Sequence, residues 1–178
     1  MNVVKSICFS TVLILSNKAF ANVNFENDDI FASIGPTKSH LGAKGITGSM
    51  SGYGMSVALK PKASNLGYIS TLTYASEEGQ VFKYYYGMQA WEASAGLLYQ
   101  TKSLDWLRLY PLIGLSYTIV DSYHYNENEF GFSLGLGAQL TIPETNTFID
   151  FNYKKAFLGG SLSAFDSYIL YLGIGYQI

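Results

Sequence analysis

Between Phe130 and Ile142 the chain reads Phe-Gly-Phe-Ser-Leu-Gly-Leu-Gly-Ala-Gln-Leu-Thr-Ile, an unbroken alternation of apolar with small or polar residues. Phe130, Phe132, Leu134, Leu136, Ala138, Leu140 and Ile142 fall on one face of an extended chain, and Gly131, Ser133, Gly135, Gly137, Gln139 and Thr141 on the other. The wet face of a soluble sheet ordinarily carries Lys, Glu and Arg. Here it is mostly glycine and hydroxyl, which suits a narrow, crowded interior. About 9–11 tilted residues carry a strand across a bilayer, and this run is long enough. The stretch predicts one strand of a closed transmembrane β-barrel.

Period-2 patterning extends the prediction to eight strands, near Asp29–Gly35, Gly52–Lys60, Leu66–Ser76, Tyr84–Gln100, Trp106–Val120, Glu129–Ile142, Thr147–Phe157 and Asp166–Ile178. Short breaker-rich turns are expected at 61–65, 102–105 and 143–146. Longer polar loops are expected at Pro36–Ser51, Glu77–Lys83, Asp121–Asn128 and Leu158–Phe165. Short turns at one rim and long loops at the other is the plan of an outer-membrane barrel, the short turns being periplasmic. The expected fold is therefore an all-β, eight-stranded, antiparallel, up-and-down transmembrane barrel.

The outward rows end in aromatic residues. Tyr53, Tyr74, Trp91, Tyr117, Phe132, Tyr153 and Tyr168 lie toward the upper rim, and Tyr68, Tyr99 and Tyr176 toward the lower one. Such rings form girdles at head-group level. The inward rows are small or polar, with Lys60, Glu92, Arg108, Asp150 and Lys154 among them. A turn centred between Glu144 and Thr145 sets Gln139 across from Asp150, with Arg108 at a similar height on the next strand. An isolated charge in a confined interior is costly, so Arg108, Gln139 and Asp150 are expected to form a hydrogen-bonded cluster in the lower lumen.

The N-terminus reads as an export signal: Lys5, an apolar stretch from Ile7 to Leu15, and the cleavage motif Ala19-Phe20-Ala21. The expected organisation is a signal peptide at 1–21 and a barrel domain at 22–178. Cleavage would remove the single cysteine, Cys8, and with it any disulfide, thiol nucleophile or thiolate metal site. It would also remove Lys5 and Lys18, leaving nine basic against thirteen acidic residues, a formal charge of −4. That balance argues against a nucleic-acid binder. With two separated histidines, His40 and His124, no metal or other cofactor is indicated.

Several stretches, in this order and spacing, carry a resemblance. They are Asn65-Leu66-Gly67-Tyr68-Ile69 with Leu72-Thr73-Tyr74, then Tyr85-Tyr86-Gly87, then Phe130 through Gly137. Ile149-Asp150-Phe151-Asn152-Tyr153 and Gly173-Ile174-Gly175-Tyr176 complete the set. From Gly52 onward the chain resembles the Ail/OmpX/PagC/Lom family of small enterobacterial outer-membrane proteins. The resemblance implies a location in the cell outer membrane and a C-terminal strand read by the barrel assembly machinery, although Ile178 stands where a terminal Phe is usual. It further implies a surface protein acting in adhesion, invasion and complement (serum) resistance, with host matrix or complement-regulatory proteins as partners.

An eight-stranded barrel is just wide enough for its own side chains, so function is expected outside the lumen. The candidate contact residues are Lys38, His40 and Lys44 in the first loop, and Glu77, Glu78 and Lys83 in the second. Tyr123, His124, Tyr125, Glu127 and Glu129 are the candidates in the third. Rigid exposed aromatics such as Tyr123 and Tyr125 are the stronger contacts, and strand ends beyond the bilayer could pair with a partner's strand. One alternative is an envelope-integrity protein whose Lys38, Lys44, Lys83, Lys154 and Lys155 meet lipopolysaccharide phosphates. A third is a lipid A-modifying enzyme using Ser122 and His124 with Glu127 or Glu129. No other motif supports that third reading, and a non-enzyme is expected.

Overall fold

The computed structural model describes residues 27–43, 46–81, 84–101, 103–122, 125–162 and 166–178. The expected signal peptide lies outside these residues, as do Lys44, Lys83, Tyr123 and His124. The described chain forms eight strands: β1 (Asp28–Ala43), β2 (Ile46–Pro61), β3 (Leu66–Val81), β4 (Tyr84–Thr101), β5 (Leu104–Ser122), β6 (Tyr125–Thr141), β7 (Thr147–Leu158) and β8 (Asp166–Gln177). Each pairs antiparallel with its sequence neighbours, and β8 pairs with β1 to close the barrel.

Partners followed around the wall from Ser33 run through Ser56, Thr71, Ser94, Gly114, Ser133, Ala156 and Ser167. The path returns to β1 at Leu41, eight residues beyond its start. A stagger of eight over eight strands goes with a tilt of about 36° and an interior that side chains fill. The glycine face of β6 is what makes that filling possible. A Cβ on Gly137 would lie 2.1 Å from the Tyr110 ring, and one on Gly135 would lie 2.4 Å from the Lys154 chain.

The outer wall is apolar where the inner one is polar. Leu136 and Ile174 are 69% and 68% exposed, and they stand in a band with Ile113, Leu115, Leu134, Leu170 and Leu172. Soluble monomers do not expose a continuous belt of this kind, so this wall faces lipid. Above it runs a chain of paired rings: Tyr74–Trp91 at 4.2 Å, Tyr117–Phe130 at 4.6 Å, Phe132–Phe157 at 4.8 Å and Tyr153–Tyr168 at 5.8 Å between centroids.

The strands are longer than the alternation predicts, and this corrects three of the expected loops. β1 and β2 stay paired as far as Ala43↔Ile46, β3 and β4 as far as Val81↔Tyr84, and β5 and β6 as far as Ser122↔Tyr125. Lys38 and His40 are therefore on β1, Glu77 and Glu78 on β3, and Tyr125, Glu127 and Glu129 on β6, rather than in loops. The physical reason is that the outward residues above the membrane meet water rather than lipid, so the strand continues without an outer apolar stripe, while Leu41, Met50, Met88 and Val120 still pack on its inner face. Pro36 is tolerated because β1–β8 pairing is interrupted there, between Ile34↔Ile174 and Thr37↔Tyr171.

Candidate functional site

The lumen is closed by two apolar clusters with polar networks between and around them. Phe31, Ala58, Ile69, Leu98, Tyr110, Leu112 and Phe148 fill the end nearer the short turns. Leu41, Met50, Met88, Val120, Leu158 and Leu162 fill the opposite mouth, Leu162 coming from a single 3-10 turn, Gly160–Leu162, after β7.

Asp150 is the centre of the lower network. Its Oδ1 accepts from the Tyr110 hydroxyl at 2.5 Å, and its Oδ2 from Ser33 at 2.7 Å, from Ser56, and from Gln139 Nε2 at 3.4 Å. Arg108 joins through Gln139: Nε donates to Gln139 Oε1 at 3.1 Å and Nη2 to Thr141 at 2.9 Å. Its guanidinium also lies 4.0 Å over the Phe31 ring. Arg108, Gln139 and Asp150 are thus brought together, with Gln139 as the link between the two charges.

A second buried pair, Lys154 with Glu92, sits nearer the middle. Lys154 also donates to Thr71 at 3.0 Å, and Glu92 accepts from Ser133 at 2.8 Å and Thr73 at 3.3 Å. Both side chains are fully buried, which corrects the expectation that Lys154 faces lipopolysaccharide at the upper rim. Its even position on β7 turns it inward, and a buried ammonium needs this carboxylate. A lumen so filled offers no passage, and chemistry with large partners is left to the outside.

Outside, the part beyond the aromatic belt is uneven. β2 and β3 stop pairing at Ser51↔Ser76, and β6 and β7 at Gly131↔Leu158. β3, β4, β5 and β6 continue past those points as one four-stranded sheet. Its described segments, 77–81, 84–89, 117–122 and 125–130, hold Glu77, Glu78, Asp121, Glu127 and Glu129 and no lysine. Glu77 turns toward the lumen mouth, where it accepts from the Ser49 N–H at 3.1 Å, while Glu78 is exposed on the outer face.

On the opposite side β7 and β8 end low beside the longer β1, and the wall they form with the lower part of β1 is basic. Lys155, Tyr168 and His40 are successive cross-strand neighbours on the outer wall, and Lys38 lies two residues from His40 on the same face. The Lys155 ammonium is 5.3 Å from the Tyr168 ring and 5.6 Å from the Phe157 ring, and it pairs with Asp166 at 3.1 Å. Among the described residues no carboxylate pairs with Lys38.

The expected contact residues thus fall into two groups, not one: Lys38 and His40 on the low wall, and Glu77, Glu78, Glu127 and Glu129 on the tall sheet. The side chains of Ser122, Tyr125 and His124 lie outside the described set, so the suggested Ser122–His124 arrangement has no geometry to assess. Among the described residues no three His, Cys, Asp or Glu side chains gather as a metal site. The residues that reasoning from sequence missed are the partners of Asp150, namely Ser33, Ser56 and Tyr110, with Tyr171 hydrogen-bonded to Ser33 at 2.7 Å, and the Glu92–Lys154 pair. Inward parity marks all of them, but only the closed register says which ones meet.

No family model matches the chain, and no curated protein sequence matches it either. Solved structures do match. Ail, the attachment invasion locus protein of Yersinia pestis, in complex with the heparin analogue sucrose octasulfate, superimposes with a TM-score of 0.73 at 18% identity, covering 85% of this chain and 99% of that one. A major outer membrane protein from Thermus thermophilus gives 0.56 at 13% identity, covering 84% and 99%. Neisserial surface protein A gives 0.51 at 15% identity, covering 84% and 97%. With its closed eight-strand register, filled lumen and lipid-facing belt, the chain carries the barrel fold of the Ail-like outer-membrane proteins.

Proposed function

We propose that this chain is a non-catalytic, surface-exposed binding protein of the outer membrane, acting in adhesion to host components and in serum resistance. The observation that carries the reading is the tall sheet. A sealed barrel holds four strands clear of the membrane, with two sheet edges left without a strand partner among the described residues. Paired backbone keeps that projection rigid, so a partner pays little of the ordering entropy that a floppy loop would demand. The likeness to an attachment and invasion protein and to a neisserial surface protein supports the same reading. Comparing a deletion strain with its complemented parent tests it: adhesion to host cells and survival in serum should both fall without the protein. Unchanged values in both assays would remove the reading.

A second role is favoured by the low wall. Lys38, His40 and Lys155 stand around Tyr168 at the level where lipopolysaccharide phosphates lie. Lysines on a lipid-facing wall are tolerated near the interface, where their ammonium groups reach anionic head groups. This side would seat the barrel in the outer leaflet and contribute to envelope integrity. Detergent sensitivity and periplasmic leakage in a Lys38→Ala, Lys155→Ala strain measure it separately from adhesion.

A further inference from the structure

We infer that the β1–β2 hairpin thins the outer leaflet of the bilayer beside it and gathers short-chain lipids there. Its apolar outer band ends well below that of the opposite hairpin, β5–β6. The inference goes beyond the surface-binding reading and does not depend on it.

The outward positions of each hairpin are cross-strand pairs, so the two bands can be measured from the register. On β1–β2 the band runs from Ile30↔Leu59 through Ala32↔Val57 and Ile34↔Met55 to Pro36↔Tyr53. Asp28↔Pro61 bounds it below and Lys38↔Ser51 above. On β5–β6 the band runs from Leu107↔Leu140 to Tyr117↔Phe130 with every outward pair between them apolar, and Asn128, opposite Ile119, is the first polar outward residue above. The first band covers six residues of strand and the second ten. At about 3.3 Å per residue and a tilt of about 36°, their heights are about 16 Å and about 27 Å. The apolar band of an outer-membrane barrel is ordinarily about 25 Å tall, so β5–β6 fits a bilayer and β1–β2 falls short of it.

The shortfall lies entirely in the outer leaflet. The path of partners that starts at Ser33 gains eight residues over eight strands, which is one residue per strand. On that scale Ile30 and Leu107 both lie three residues below the level of Ser33, and Leu59 and Leu140 both lie two below. Pro36 and Tyr53 lie three and four residues above it, but Tyr117 and Phe130 lie seven and eight above. The lower edges therefore coincide, while the upper edges differ by four residues, or about 11 Å.

A short band can be met by tilting, by snorkelling or by thinning the bilayer. Tilting would level the upper edges only by drawing Asp28 and Lys62, at the foot of β1–β2, into hydrocarbon. Lys38 can snorkel upward, but Ser51 and Ser49 on its partner strand are exposed on the outer wall and too short to do so. Thinning remains. A shallow apolar groove over Ala32, bordered by Ile34, Met55, Val57, Ile174 and Tyr176, lies on the same face within two residues of the level of Ser33. It gives the ends of chains beneath the lowered leaflet edge a place to pack.

The test uses the full chain in dioleoylphosphatidylcholine nanodiscs, with single nitroxide labels on cysteines introduced into a Cys8→Ser background. Ser51→Cys and Tyr117→Cys lie within one residue of the same level, and Pro61→Cys and Ile142→Cys share a level below the band. The label at 51 should collide with an aqueous nickel chelate about threefold or more often than the label at 117, and the labels at 61 and 142 should match. If Tyr117→Cys does not fold, Leu115→Cys takes its place with the same expected contrast. Equal depths at the two upper sites would overturn the thinning. A label at 61 lying deeper than one at 142 would mean tilt, and a label at 51 shielded from both chelate and oxygen would mean a second copy or another protein on this face; either overturns the inference. For the lipid class, fluorophores are compared at Met55→Cys and Ile113→Cys, both exposed at mid-band. Chain-brominated dilauroylphosphatidylcholine diluted into the dioleoyl lipid should quench at 55 about twofold more than at 113. Equal quenching would overturn the preference for short chains.

Discussion

The membrane-embedded barrel and the sheet that rises from it are built from the same four strands, β3 to β6, yet they obey different rules. Inside the bilayer each strand separates lipid from lumen, so its faces are chemically opposite: Leu134 and Leu136 outside, Ser133 and Gly135 inside. Above the aromatic belt the faces converge in character, with Glu127 on one and Asn128 on the other. The lower part is fixed by buried charge pairs and by glycines that admit large side chains. The upper part is held at its base by Met88 and Val120 in the apolar plug and, above them, by its ladder of backbone bonds, which leaves its outer surface available to partners. Stability and function are therefore separable along the barrel axis.

The sharpest way to break that separation is to disturb the lumen. Glu92→Ala leaves the Lys154 ammonium buried without its carboxylate, and loss of one partner of a buried pair costs about 3–5 kcal/mol. The expected result is a large drop in the temperature at which the folded band disappears in heat-modifiability gels. Replacing both groups with apolar residues of similar size, Glu92→Leu with Lys154→Met, should recover most of that loss. Gly137→Val comes next, since its side chain would enter the space of the Tyr110 ring, and overpacking of this kind costs about 1–3 kcal/mol. In the projecting sheet, Glu78→Lys on the exposed outer face should change stability by no more than about 0.5 kcal/mol, read from the same heat-modifiability gels. The smallest effect is expected on the low wall. Lys38→Ala with Lys155→Ala should leave the melting profile unchanged and raise only detergent sensitivity, an effect that added salt diminishes.

How much of this was legible before the structure depends on where each residue sits relative to the membrane. Phe130–Ile142 declares its strand because lipid and lumen demand opposite chemistry, and the strand count follows from the same contrast. The opposition of Gln139 and Asp150 could be read from a four-residue turn, because register in a tight hairpin is set locally. The Glu92–Lys154 pair could not, since it joins strands 62 positions apart and depends on the stagger of the whole closed barrel. The upper strands were invisible for a different reason. Lys38, His40, Glu77 and Glu127 lie at levels where outward residues meet water, so the outer apolar stripe that marks a strand is lost although pairing persists. The same blindness merged the candidate contacts into one set of loops, hiding that Lys38 and His40 belong to a basic wall and Glu127 and Glu129 to an acidic sheet.

The most direct measurement is to trim the tall sheet and leave the barrel intact, replacing 78–87 and 121–126 with tight turns so that Met88 and Val120 keep their places in the upper plug, and then to compare surface binding of host cells by bacteria bearing the parent and trimmed proteins at equal outer-membrane levels. The trimmed barrel should still fold, with an unchanged heat-modifiability transition, and its binding should fall to that of the deletion strain. Full binding by a correctly folded, trimmed barrel would contradict the assignment of function to the projecting sheet.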